Sequence, residues 1–246
     1  MSRPLVLLHG WGLSARVWTP LRAGLGGLDI HTPDLPGHGA APAADNATLA
    51  DWSDRLAANL PDGAVVCGWS LGGLIALDLA ARHPAKVSRL VLIGSTPRFV
   101  AGTDWAHGLA ADTVDAFRRE FATAPAAVLR RFVALQALGD ARRRELTRTL
   151  DGALTATDPT PMQADALADG LALLADTDLR AAIADVRQPA LLIHGERDAL
   201  IPVAAGRWLA ATLPEARLEV LADTGHAPFL SHPTECAALL ERFVRA

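Results

Sequence analysis

The chain opens on a short apolar run, Leu5-Val6-Leu7-Leu8, and returns to that pattern at intervals. Ala64-Val65-Val66-Cys67, Arg89-Leu90-Val91-Leu92-Ile93, Ala190-Leu191-Leu192-Ile193 and Leu218-Glu219-Val220-Leu221 repeat it, with Leu28-Asp29-Ile30-His31 as a weaker version. Such runs, with little polar alternation, suit strands covered on both faces, as in a parallel sheet. Between them lie helix-like patterns over 48–59, 71–82, 203–213 and 233–244. Strand–helix alternation predicts an α/β fold, a mostly parallel sheet with helices on both faces. The rhythm breaks between 98 and 188, where no strand-like run occurs. That stretch reads as four helices, near 111–122, 125–138, 140–153 and 162–175, punctuated by Pro125, Gly139 and Thr157-Asp158-Pro159-Thr160-Pro161. The expected organisation is a core built from 1–98 and 189–246, with 99–188 inserted as a four-helix cap. The cap would cover the carboxyl edge of the sheet, where open α/β sheets bind ligands.

Composition narrows the class. The 246 residues are half hydrophobic, ample for one large core, and the net charge of −4 argues against the whole molecule binding nucleic acid. Cys67 and Cys236 sit in apolar patterns and are expected to pack as small hydrophobes rather than pair. No CxxC or HExxH spacing suggests a metal, so none is expected. No apolar stretch reaches the roughly 18 residues of a membrane span. Met1-Ser2-Arg3-Pro4-Leu5-Val6 runs straight into a strand-like run, so these residues are not expected to be a signal peptide with its own cleavage region. The expectation is a soluble cytoplasmic protein. Charge is uneven, however: residues 117–148 carry eight arginines (118, 119, 130, 131, 142, 143, 144 and 148) against Glu120, Asp140 and Glu145, a net of +5 inside a chain of −4. A basic cap on an acidic body fits either docking to an acidic partner or an ordinary solvated helix face.

Gly68-Trp69-Ser70-Leu71-Gly72 follows one strand-like run and precedes the helical Leu74-Ile75-Ala76-Leu77. A G-x-S-x-G in that setting predicts a nucleophile elbow, with Ser70 exposed on a tight turn and the flanking glycines allowing close backbone approach. The helix behind Ser70 presents free N–H groups to a developing negative charge. An oxyanion hole is expected from the N–H of Leu71 and, in His9-Gly10-Trp11-Gly12 after the first strand, the N–H of Trp11. Asp198, in His194-Gly195-Glu196-Arg197-Asp198, follows a later strand and suits the carboxylate that orients a histidine, with Glu196 as its competitor. His226, in Thr224-Gly225-His226-Ala227-Pro228, follows the last strand and suits the base. The remaining histidines, at 9, 31, 38, 83, 107, 194 and 232, read as structural, His9 as a support of the oxyanion loop. The chain order Ser, Asp, His is the order of the α/β hydrolases.

Longer stretches carry a closer likeness. Leu5-Val6-Leu7-Leu8-His9-Gly10-Trp11-Gly12-Leu13, Gly68-Trp69-Ser70-Leu71-Gly72-Gly73-Leu74, Asp34-Leu35-Pro36-Gly37-His38-Gly39, Arg131-Phe132-Val133-Ala134-Leu135-Gln136 and His226-Ala227-Pro228-Phe229-Leu230-Ser231-His232-Pro233 resemble the pimeloyl-[acyl-carrier protein] methyl ester esterases, BioH-type carboxylesterases of biotin synthesis. The resemblance implies an α/β-hydrolase fold and hydrolysis of a carrier-bound methyl ester by Ser70, Asp198 and His226 without a cofactor. It implies substrate contacts from Trp11, Ser70, Leu71, His226 and the segment Phe132, Val133, Ala134, Leu135 and Gln136. It further implies that Arg131, Arg144 and Arg148 face an acidic acyl-carrier protein, and that the protein is a monomer. Members of that family usually begin with an extra strand pair, whereas here the first sheet strand starts almost at Met1, so those edge strands are expected to be absent. Two other readings stay open at this point: an esterase of small free esters, with carbon–carbon bond hydrolases sharing its core motifs, and a non-catalytic binding module on the same fold.

Overall fold

The structure is a computed structural model describing residues 3–246; Met1 and Ser2, the start of the N-terminal run, lie outside the described residues. Six strands form one sheet: β1 (Leu5–Leu8), β2 (Ile30–His31), β3 (Ala64–Trp69), β4 (Val87–Ile93), β5 (Ala190–Gly195) and β6 (Ala216–Leu221). Their order is β2-β1-β3-β4-β5-β6, and every pairing is parallel. The continuous apolar runs mark the middle of the sheet: every residue of β1, β3 and β5 is buried. β6 lies at an edge, with Arg217 and Val220 exposed and Leu218 and Glu219 half-buried, which is why its first residues lack a strand-like apolar run. β2, the other edge, shrinks to two residues.

Ten α-helices complete the described residues. α1 (Thr19–Arg22) follows β1; α2 (Leu49–Ala57) and α3 (Leu71–Arg82) flank β3 in sequence. The Thr48 side chain caps α2 by accepting from Asp51 N–H at 3.1 Å. Between β4 and β5 come α4 (Ala111–Thr123), α5 (Pro125–Gln136), α6 (Arg143–Gly152) and α7 (Pro161–Asp176), close to the four expected helices. Proline at the first helical position starts both α5 and α7, and Thr160 with Gln163 closes a capping box on α7. α8 (Val203–Thr212), α9 (Pro228–Ser231) and α10 (Pro233–Arg245) end the chain. α3 packs on β3 and β4, and α8 on β5 and β6, so the central strands are covered. The short α1 and α9, and the 3-10 turns at Ala15–Trp18 and Ala182–Asp185, carry no periodic signature long enough to read from sequence.

The two ends of the helical insertion leave the core side by side. Leu179 N–H donates to Pro97 O at 2.9 Å, and Arg98 pairs with both Asp178 and Asp104 at 3.2 Å. Arg180 closes the bracket onto Asp104 at 2.8 Å. Cys67 and Cys236 are buried and free, as their apolar settings indicate.

Candidate active site

β3 runs directly into α3 through Ser70, whose φ of 56° and ψ of −115° lie where side-chain-bearing residues rarely go. Such a conformation costs about 1–3 kcal/mol and persists only where the surroundings impose it. The imposition is visible at the flanking glycines. A Cβ at Gly68 would run into the backbone of Gly72, and one at Gly72 into the carbonyls of Leu8 and His9. The turn therefore closes against β1 with no side chain in between, leaving Ser70 at the carboxyl ends of the two strands.

The histidine loop lies beside this elbow. Trp69 Nε1 donates to the His226 carbonyl at 2.9 Å, and Gly94, at φ 47°, leaves space where a Cβ would sit 3.2 Å from His226 Nδ1. His226 Nδ1 is 2.7 Å from Asp198 Oδ2, with both residues buried. A carboxylate only accepts, so Nδ1 carries the proton and the lone pair sits on Nε2. Nε2 is buried and has no hydrogen-bond partner among the described residues. Asp198 is itself fixed: its Oδ1 accepts from Leu200 N–H and Ile201 N–H at 2.9 Å each. Burial pushes the Asp198 carboxyl up, but the neighbouring His226 and His194 outweigh it and leave the group well below the usual carboxylate range. Glu196, the competing carboxylate, is exposed and lies 3.4 Å from Asp223 N–H. The structure thus pairs His226 with Asp198, and Ser70 Oγ makes no hydrogen bond of its own among the described residues.

Two backbone donors stand free nearby. Leu71 N–H opens α3 and has no preceding turn to bond. Trp11 N–H likewise donates to nothing among the described residues, while its side chain anchors the loop through Nε1 to Leu167 O at 2.7 Å. His9 holds the same loop from beneath: Nδ1 donates to Gly10 O at 2.9 Å, and Nε2 accepts from Leu35 N–H at 3.0 Å. Burial drives its pKa down to about 4, against the opposing pull of the Gly10 carbonyl and Asp34, so the ring stays neutral. The reading of His9 as a support fits this geometry. His38, expected on a turn, is fully buried beside it.

An apolar pocket adjoins the Trp11 loop. Phe99, Leu109, Phe117, Phe132, Leu171 and Leu200 are among its walls. The Trp11 ring meets Phe117 and Phe132 edge-on at 5.9 and 5.0 Å. Of the five-residue segment singled out in α5, Phe132 and Leu135 reach this wall. Val133, Ala134 and Gln136 do not line it; Val133 and Gln136 are buried, and the Gln136 carbonyl instead accepts from His226 N–H at 3.3 Å. Sequence reasoning missed Phe99, Leu109, Phe117, Leu171 and Leu200. The spacing of Val114, Phe117 and Phe121 along α4 was the available signal, an apolar stripe at helical period. Neither this pocket nor a wider surface groove at His31, Asp34, Arg55 and Asn59 is lined by the triad itself, but the apolar pocket borders it through Phe132, which meets the Trp11 ring, and Leu200, whose N–H donates to Asp198.

The three arginines divide. Arg144 and Arg148 are exposed on α6, make no ion pair among the described residues, and share a shallow hollow with Arg142, Arg143 and Glu145. Arg131, on α5, is held by Glu120 at 2.6 Å and lies over the Phe117 ring.

The sequence profile of the α/β hydrolase fold matches residues 3–233. A pimeloyl-[acyl-carrier protein] methyl ester esterase from Aromatoleum aromaticum is 60% identical over the full length of both chains. The chain belongs to the pimeloyl-[acyl-carrier protein] methyl ester esterase family of α/β hydrolases. A family relative in Teredinibacter turnerae, a biotin biosynthesis bifunctional protein, is 40% identical over 98% of this chain, which spans 44% of that longer protein. Among solved structures, an esterase from Exiguobacterium antarcticum superposes with a TM-score of 0.85 at 22% identity, covering all of this chain and 94% of its own; that likeness concerns the fold alone. The six parallel strands of this member hold no pair ahead of β1 among the described residues. No helix among them is long and apolar enough to cross a membrane, and no cluster of side chains there could hold a metal.

Proposed function

We propose that this protein is a serine carboxylesterase that removes the methyl group from pimeloyl-acyl-carrier protein methyl ester, in the biotin pathway to which its relatives belong. The observation that carries the chemistry is the buried His226–Asp198 pair at 2.7 Å, beside a serine held in a strained turn. His226 Nε2 takes the proton of Ser70 as Oγ attacks the ester carbonyl. The oxyanion is received by the N–H groups of Trp11 and Leu71, donors whose removal typically costs about 2.7–4 kcal/mol of transition-state stabilisation in such holes. His226 returns the proton to the departing methoxide, and methanol leaves. Water, deprotonated by the same nitrogen, then attacks the acyl-enzyme and frees the carboxylate and Ser70. No cofactor enters these steps. Catalytic hydrogen bonds are often long in a ligand-free site, so an unpartnered Nε2 suits a base awaiting substrate.

In this reading residues 99–188 form a cap and its apolar pocket takes the hydrocarbon of the acyl chain. Arg144 and Arg148 offer unpaired positive charge to an acidic carrier protein, with Arg131 contributing once it leaves Glu120. The proposal takes one chain as a sufficient catalytic unit, since Ser70, Asp198 and His226 all belong to it, and places the protein in the cytoplasm. Ser70→Ala tests the chemistry. Methanol release should fall at least about 10⁴-fold and fluorophosphonate labelling should vanish, with the fold intact. Full turnover by that variant would overturn the mechanism.

A further inference from the structure

Asp140 lies in the corner between α5 and α6, far in sequence from the triad, and is 7% exposed. Its carboxylate turns toward the histidine loop. Oδ2 accepts from Gly225 N–H at 3.0 Å and from Ser231 Oγ at 2.8 Å, while Oδ1 accepts from Arg142 N–H at 2.7 Å. The corner makes three further bonds to the same loop. Gln136 O accepts from His226 N–H at 3.3 Å, Ala141 N–H donates to Asp223 O at 3.0 Å, and Arg142 donates to Ser231 O at 2.5 Å. Gly225 is pressed between the two bodies: a Cβ there would sit 2.8 Å from Leu138 O, and a Cβ at Gly195 would run into Gly225 O.

We infer that Asp140 is a positioning residue for His226, holding the base in register with Ser70 through the backbone of its loop while Asp198 holds its ring. Asp198 fixes one ring nitrogen, but the direction of Nε2 also depends on where the backbone of 225–226 sits. The corner donates one charged acceptor to that backbone, and bonds to a charged acceptor are roughly twice as strong as neutral ones. Without the carboxylate, Gly225 N–H is a buried donor left unpaired, and the loop is free to shift. Misplacement of a reacting group by about 1 Å can cost on the order of 10²-fold in rate. The helical insertion would then do more than wall the pocket: it completes the alignment of the catalytic base.

This rests on His226 being the base, and the test separates the two claims. Hydrolysis of p-nitrophenyl butyrate is measured for the wild type, His226→Ala, Asp140→Ala, Asp140→Asn and the Asp140→Ala/His226→Ala double variant, with thermal melts of each. Asp140→Ala is expected to lower kcat by about 10- to 100-fold with KM within about twofold. Asp140→Asn keeps one acceptor oxygen and should recover most of that loss. The double variant should turn over no more slowly than His226→Ala alone, because a residue acting only through the histidine has nothing left to align. Wild-type kcat in Asp140→Ala, or a further loss in the double variant equal to that in the single one, would overturn the assignment. Should Asp140→Ala not fold, Asp140→Asn with and without His226 makes the same comparison, a smaller kcat loss that vanishes without His226 supporting the assignment and an undiminished one contradicting it. Full activity in His226→Ala would instead overturn the base assignment itself.

Discussion

The sheet core and the helical insertion solve different problems with different materials. In the core, function is carried by backbone: Ser70 sits at positive φ because two glycines let β3, α3 and β1 close with no side chain between them. In the insertion, the roles proposed fall to side chains on amphipathic helices, apolar toward the pocket and arginine-rich toward solvent. The core therefore resists change, and errors there remove the fold or the chemistry. In the helical stretch, the exposed Arg144 and Arg148 make no ion pair among the described residues, so changing their charge is expected to cost little stability. Precision is needed at the reacting atoms, whereas recognition of a carrier and an acyl chain is a sum of many weak contacts.

The largest effect expected from this contrast is chemical. Asp198→Asn would leave the packing nearly intact yet lower kcat by about 10⁴-fold, because an amide can donate to Nδ1 and favour the wrong tautomer; steady-state kinetics on any accepted ester reads it. Gly68→Ala comes next. Its Cβ meets backbone rather than a movable side chain, and overpacking of that kind costs about 3 kcal/mol, seen as a lowered denaturation midpoint. No substitution of an exposed arginine on α6 should approach that loss.

The buried histidines make the core, not the insertion, sensitive to pH. Burial drives His9 down to about 4, and burial with the neighbouring His9 drives His38 down to about 3. Both rings stay neutral in the folded core where the unfolded chain would protonate them near pH 6.5. The unfolded state therefore binds more protons, and stability from this source is complete above about pH 6.5 and is lost as pH falls toward 4. With two such rings, the slope near pH 5 should be about 2.5 kcal/mol per pH unit, measurable by denaturant titration. The depressed Asp198 carboxyl acts only lower: its contribution is present above the unfolded carboxylate pKa and disappears below it. The smallest effect has the opposite sign. Ser70→Gly removes the positive-φ strain and should raise stability by about 1 kcal/mol while abolishing hydrolysis.

The same division governs what the sequence reveals. β1, β3 and β5 are legible because strands buried on both faces must be apolar at every position. The elbow is legible because its sterics admit only glycine at fixed offsets from Ser70. The four inserted helices are legible from proline and glycine punctuation, although α6 begins at Arg143 rather than 140 because Asp140 is turned away to the histidine loop. What stays hidden is contact across the chain. Asp140 lies 85 residues from Gly225, and nothing in Leu138-Gly139-Asp140 announces the partner. The pocket walls Phe99 and Leu171 are ordinary apolar positions until the fold brings them together. Arg131 reads like Arg144 and Arg148 in sequence, yet Glu120 engages it and leaves the other two free.

In the proposed function, the core supplies the esterase and the insertion addresses it to a carrier protein. The most direct test compares kcat/KM for pimeloyl-acyl-carrier protein methyl ester with that for a short free methyl ester, in the wild type and in an Arg131, Arg144, Arg148→Ala variant. Docking through these arginines should give strong preference for the carrier-bound ester, a loss of about tenfold or more on that substrate alone in the variant, and a wild-type rate steeply weakened by salt. Equal activity on both esters, untouched by the three substitutions, would contradict it.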